Sequence, residues 1–112
     1  MKIAIPTASG NLALHFGHCE SFTIIEVDVE KKSIINRTEV PAPPHQPGLL
    51  PAWLAEQGVN VVIAGGMGER AKMLFDRHGI QVLVGAPAEK PENVVQSFLM
   101  GTLELGTNVC DH

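Results

Sequence analysis

The run Val59 to Ala64 constrains the fold of this chain more than any other stretch. It is almost unbroken apolar and β-branched, the mark of a strand covered on both faces. Gly65-Gly66-Met67-Gly68 follows at once, and then Glu69 to His78 reads as a helix stopped by Gly79, with Ala71, Leu74, Phe75 and His78 on its buried stripe. Ile80 to Val84 reads as a second buried strand. Pro91 opens a last helix whose Val94, Val95 and Phe98 face inward, and Gly101 ends it. Strands that alternate with helices in this way require right-handed crossovers and a parallel sheet.

Upstream, Lys2 to Pro6 is a short apolar strand, ended by its proline and the turn cluster Thr7-Ala8-Ser9-Gly10-Asn11. A first loop over 7–20 follows, with a brief extended piece at Leu12–Leu14. Ser21 to Val29 and Ser33 to Val40 form an antiparallel hairpin around Glu30-Lys31-Lys32. In the first of these strands Thr23, Ile25, Val27 and Val29 line one face, while Phe22, Ile24, Glu26 and Asp28 turn polar along the other. Asn36, Arg37, Thr38 and Glu39 suit the second to a sheet edge, which allows a monomer or a weak dimer. Four prolines between Pro41 and Pro47 make a stiff connector that carries His45. Leu49 to Gln57 is a helix with Leu50, Trp53 and Leu54 on its apolar face, and the tail from Thr102 to His112 shows no periodicity. The expectation is a single α/β domain over 1–112: a mixed five-stranded sheet flanked by helices, with strand two antiparallel to the rest.

Composition removes several functions. The chain has 112 residues, 45% hydrophobic, with a net charge of −4, no basic stripe, no tyrosine and one tryptophan. A phosphate-tracking or base-stacking nucleic-acid surface is therefore not expected. No apolar run approaches the ~18 residues of a membrane span. The N-terminus enters a strand directly without the features of a signal peptide, so the expected location is cytoplasmic. There, two cysteines point to metal or redox chemistry rather than a structural disulfide.

The chemistry gathers in His15-Phe16-Gly17-His18-Cys19. Imidazole and thiolate are the ligands that zinc, iron and copper prefer, and the glycine permits a turn that aims more than one of them at a single centre. Further ligand candidates are His45, Cys110 and His112. In parallel sheets, ligand sites lie beyond the carboxyl ends of the strands. Those ends feed the first loop, the His45 connector and Gly65–Gly68, so His15, His18, Cys19, His45 and Met67 belong on one edge. Gly65, Gly66, Met67 and Gly68 form a strand-to-helix turn suited to an anion, and match neither the dinucleotide fingerprint nor the Walker pattern. Paired carboxylates and a Ser/His/Asp arrangement are absent from the sequence pattern. Adjacent His18 and Cys19 are poorly placed for a nucleophile dyad.

The opening Lys2-Ile3-Ala4-Ile5 strand, His15-Phe16-Gly17 with Phe22 after it, and His45 before a helix carry a resemblance that the remainder extends. Val61-Val62-Ile63-Ala64-Gly65-Gly66-Met67-Gly68, Arg70-Ala71, Gly79-Ile80-Gln81-Val82 and Gly101-Thr102-Leu103 follow in order. The pattern resembles the dinitrogenase iron–molybdenum cofactor family, which includes NifX, the C-terminal region of NifB and small stand-alone proteins. The resemblance implies a ribonuclease H-like fold with sheet order 3-2-1-4-5. It also implies a non-enzymatic role in binding, carrying or inserting iron–sulfur or molybdenum–iron–sulfur clusters, as a nitrogen-fixation accessory would. Implied partners are the metallocluster and cofactor-assembly proteins, among them an iron–sulfur ATPase. In this reading His15, His18, Cys19 and His45 supply ligands, joined by Cys110 and His112, and Gly65–Gly68 donate N–H bonds to cluster sulfur. His18, Cys19 and the Cys110-Asp111-His112 ending go beyond the His-Phe-Gly core of the family. Two thiols with several imidazoles also suit a labile or structural zinc-binding regulatory module. A third reading is an enzyme acting on a small phosphorylated ligand at the glycine loop.

Overall fold

The computed structural model describes residues 1–43 and 49–106, with His18 as backbone alone. Its sheet is organised around β1 (Lys2–Ala8), whose Ile3, Ala4 and Ile5 are fully buried. β1 pairs antiparallel with β3 (Ser21–Asp28), from Lys2↔Glu26 to Thr7↔Ser21, and β3 pairs antiparallel with β4 (Ser33–Pro41). On its other side β1 runs parallel to β5 (Val61–Ile63), which runs parallel to β6 (Gln81–Leu83). The order is β4-β3-β1-β5-β6.

A sixth strand, β2 (Asn11–Leu12), folds back on the end of β1 through Ser9 and Gly10, both at positive φ (55° and 83°). Two successive positive φ values let a two-residue turn follow the twist of its strands. β1 therefore does not stop at Pro6, as expected from a proline, but continues to Ala8. The parallel pairing with β5 reaches Ala4↔Val62, and Pro6, with no N–H to extend that ladder, marks where the two strands part. The Pro6 carbonyl instead accepts the Ala13 N–H at 2.8 Å, which turns the first loop into the opening between β1 and β5.

Helices α1 (Leu49–Glu56) and α2 (Glu69–Arg77) cover one face of the sheet and α3 (Pro91–Met100) covers the other. Leu50, Leu54 and Phe75 pack with Ala4, Phe22, Ile24 and Val62 in the first layer. Val94, Val95 and Leu99 pack with Ile3, Ile5, Ile25 and Ile63 in the second. Because β3 lies between both layers, Phe22 and Ile24 are buried, contrary to the polar face expected for them. Val29 falls beyond the strand and is exposed. His78 is likewise exposed just past α2, where Phe75 alone of the helix is fully enclosed among the described residues. β6 is an edge strand rather than a doubly covered one, so Gln81 faces solvent and Val82 and Leu83 are half-buried.

The opposite edge is β4, exposed along most of its length. Arg37 forms an ion pair there with Glu92 of α3, and the Asn36 Oδ1 accepts the Arg37 N–H at 2.8 Å. The Ala42 N–H donates to the Glu20 carbonyl at 3.1 Å, so even-numbered positions near that end face β3 and Arg37, Glu39 and Pro41 face outward. No described helix is long and apolar enough to cross a membrane.

Candidate functional site

The first loop is held at both ends by backbone bonds and in the middle by one ring. Leu12 N–H donates to Glu89 O at 2.9 Å and Glu20 N–H to Thr7 O at 2.8 Å. Between them, Phe16–His18 makes a single 3₁₀ turn. Phe16 is buried, with its ring 5.9 Å from that of Phe22 and 5.6 Å from that of Phe75, edge-on to the latter. Burying a ring of this size contributes about 2–3 kcal/mol, enough to pin a short loop. The Phe16 N–H also donates to the Gly66 carbonyl at 2.9 Å, so the first loop is bonded directly to the glycine turn.

That anchor separates the ligand candidates. His15, just before the turn, is exposed at the rim. Cys19, just after it, is extended (φ −72°, ψ 147°) and packs in the same apolar cluster as Phe16, Phe22 and Met67. Burial pushes its thiol up to about 11 from 9.0, partly opposed by a backbone hydrogen bond. At neutral pH Cys19 is thus a protonated core residue. The sequence places it beside His15 and His18 as a ligand candidate; in the structure His15 is exposed and Cys19 is buried.

Gly65 and Gly66 are buried by the first loop. A Cβ at Gly65 would lie 2.9 Å from Leu14 Cα and 3.0 Å from Leu14 O, so glycine lets the two backbones touch. Met67 is fully buried in the core, which makes its thioether a packing group. Gly68 differs: it is exposed, has open space around it and caps α2 with no side-chain hydrogen bond. The positive end of α2 therefore meets solvent at Gly68. Arg70 and Lys72 add cationic charge to that first turn, and Lys72 is paired to Glu69 at 2.6 Å.

The segment after α3 is a third contributor, for which the sequence carries no periodic signal. Gly85 N–H donates to Gly65 O at 2.8 Å, and Gly106 N–H donates to Gly85 O at 2.7 Å. The chain after α3 thus returns to the edge that carries the first loop. Two glycines directly following the β5 and β6 regions, at 65 and 85, were the available signal.

His45, Cys110 and His112 lie outside the described residues. Among the described residues, no three His, Cys, Asp or Glu side chains stand together as a metal ion would require.

Fold and rim together define a small α/β domain with one mixed sheet, whose carboxyl edge joins an imidazole-bearing loop to a glycine turn at a helix N-terminus. Comparison with known proteins places it within that class. The chain belongs to the dinitrogenase iron–molybdenum cofactor family, whose model matches residues 1–101. The family is named for a cofactor rather than for a reaction. An uncharacterized protein of Methanocaldococcus jannaschii, MJ0580, is 36% identical over 108 residues, covering 93% of this chain and 90% of that protein. The crystal structure of PH0822 superposes with a TM-score of 0.87 at 27% identity, covering 96% of each chain. The apo form of the orange protein from Desulfovibrio gigas shares the fold, with a TM-score of 0.71 at 23% identity over 96% of this chain and 93% of that one.

Proposed function

We propose that the protein binds an iron–sulfur or molybdenum–iron–sulfur cluster as cargo and carries or inserts it during metallocofactor assembly, without catalysing a reaction of its own. The observation that carries this reading is the 2.9 Å bond from Phe16 N–H to Gly66 O, which joins the His15 loop and the Gly65–Gly68 turn at one edge. His15 offers an exposed imidazole, which suits iron. Gly68 and the first turn of α2 offer N–H groups and positive charge to an anionic guest. His18 and His45 are the further imidazoles on this reading. Cys19 would join them only by leaving the core.

Family membership supports the cofactor class, and the order β4-β3-β1-β5-β6 fits the ribonuclease H-like sheet implied by the resemblance. The partners on this reading are cofactor-assembly proteins, an iron–sulfur ATPase among them, in the cytoplasm.

The test is anaerobic reconstitution with ferrous iron and sulfide and, separately, with a soluble molybdenum–sulfur anion, followed by visible spectroscopy and metal analysis. A coloured protein with stoichiometric metal is expected, and His15→Ala should lower the loading. A colourless, metal-free protein in both arms refutes the proposal. Stoichiometric zinc in the protein as isolated, raising its melting temperature, would replace the cargo reading with a zinc-binding module.

A further inference from the structure

α2 turns one side to the core and the other to solvent. Phe75 is fully buried, with Ala71 and Leu74 half-buried beside it, whereas Glu69, Arg70, Met73, Asp76 and Arg77 are exposed. At about 100° per residue these five lie within ~120° of one another, with Met73 at the middle of the arc. Met73 is 56% exposed, an apolar side chain at the centre of a charged face. Glu69 and Arg77 stand four residues to either side of it, and Arg70 and Asp76 three. Neither pair of opposite charges can meet within the helix, where side chains touch at spacings of three or four. Accordingly, no ion pair among the described residues engages Arg70, Asp76 or Arg77.

We propose that this face is an interface between two copies of the chain, packed antiparallel across a two-fold axis through Met73. Such an axis matches each position with the one equally far from Met73 on the other side of its mate. Glu69 then meets Arg77 of the partner subunit, and Arg70 meets the partner's Asp76, each pair occurring twice. The angular positions agree as well as the axial ones. Glu69 and Arg77 lie ~40° to opposite sides of Met73, and Arg70 and Asp76 ~60°. A two-fold axis along the line between the helices reverses both coordinates together, so each acid faces its base. The ion pairs thereby surround two methionines, whose flexible thioethers adapt to one another. Glu69 keeps its 2.6 Å pairing to Lys72, because a carboxylate has a second oxygen for another cation.

Charge complementarity selects the occupant. Reversed about Met73, the order of charges on this face is its own complement, a symmetry that an unrelated partner would not require. α2 has nine residues, a length of ~14 Å. A contact of that length falls below the ~1,200 Å² of a standard interface, so the dimer is weak and sensitive to salt. Gly68 precedes the helix and falls off the arc, so each copy keeps its own glycine edge open. The proposal does not depend on what that edge binds.

The experiment is sedimentation equilibrium of the full-length protein from micromolar to millimolar concentration. The charges are reversed singly, as Arg70→Asp and Asp76→Arg, and then together. These changes put an acid near the N-terminus of α2 and a base near its C-terminus, which the macrodipole favours, so the helix persists. Far-UV circular dichroism checks that it does. The parent should dimerise, and high salt should weaken it. Each single reversal sets like charges opposite one another and should weaken the dimer ~10-fold or more, while the double reversal should recover it. Met73→Lys, at an exposed position, should abolish the dimer and leave the melting temperature of the dilute protein unchanged. A parent that stays monomeric at every concentration overturns the proposal. So does a dimer indifferent to either single reversal, or one that the double reversal fails to restore.

Discussion

Replacing Gly85 by alanine tests the meeting of the C-terminal segment with the glycine edge. Two costs add. Holding a non-glycine residue at a φ of +87° costs about 1 kcal/mol. The new Cβ would lie 2.2 Å from Gly106 O and 2.7 Å from Gly106 C, both backbone, so the segment must lift. Lifting it breaks the 2.7 Å bond from Gly106 N–H to Gly85 O, worth about 1 kcal/mol net. The sum is about 2 kcal/mol, which for a domain of this size lowers the melting temperature by roughly 8–12 °C.

Two companion variants separate the terms. Gly101→Ala has a φ of 73° with nothing within 4 Å, so it should show the backbone cost alone, about 1 kcal/mol. Gly106→Ala would put its Cβ 3.6 Å from Gly85 O, an ordinary contact, and should stay within ~0.5 kcal/mol of the parent. Thermal unfolding by circular dichroism gives the ranking, and hydrogen exchange at the Gly106 amide reports the lost bond. If Gly85→Ala is no worse than Gly101→Ala, or Gly106→Ala is as damaging as Gly85→Ala, the reasoning fails.

Thr23 is fully buried on β3, and its Oγ1 meets no hydrogen-bond partner among the described residues. Thr23→Val should therefore raise the denaturation midpoint, by about 1 kcal/mol in stability; a lower midpoint would mean that the hydroxyl is bonded. The Cys19 thiol, raised to about 11 from 9.0, contributes stability in full below its unfolded value. That contribution is lost as pH climbs through the folded value. Stability should thus fall by roughly 1–2 kcal/mol over this alkaline range, and less steeply in Cys19→Ala. Parallel slopes in parent and variant would show that the thiol does not titrate as a core group.

The layered sheet was legible because its signals are local and repeated: the unbroken run at Val59–Ala64, the polar hairpin edge and the glycine stops after each helix. The meeting of the first loop with Gly65–Gly68 followed from topology, since strands running the same way deliver their following loops to one edge. What misled was cover supplied by other elements. Phe22 and Ile24 share a face with Glu26, and only the presence of α1 and α2 over part of that face decides which are buried. His78 has the spacing of a buried stripe, yet α2 ends one residue earlier. Cys19 beside His18 reads as a joint ligand in the sequence, and the structure places its side chain in the apolar cluster at the end of a 3₁₀ turn, a placement no local pattern announces. The contact between Gly85 and Gly106 had no periodic signature, because it depends on where a tail lands after crossing the molecule.

The open edge at β4 has a consequence for the protein in concentrated solution. A long exposed strand is a template on which another chain can add, copy after copy, into a filament. Of the outward positions Arg37, Glu39 and Pro41, the first has its N–H occupied by Asn36 Oδ1, and the last has none to give. An incoming strand would find the Glu39 N–H between two missing rungs, next to a carboxylate. Two of the three outward rungs are thus closed to an added strand by an asparagine and a proline that stand outside the candidate site.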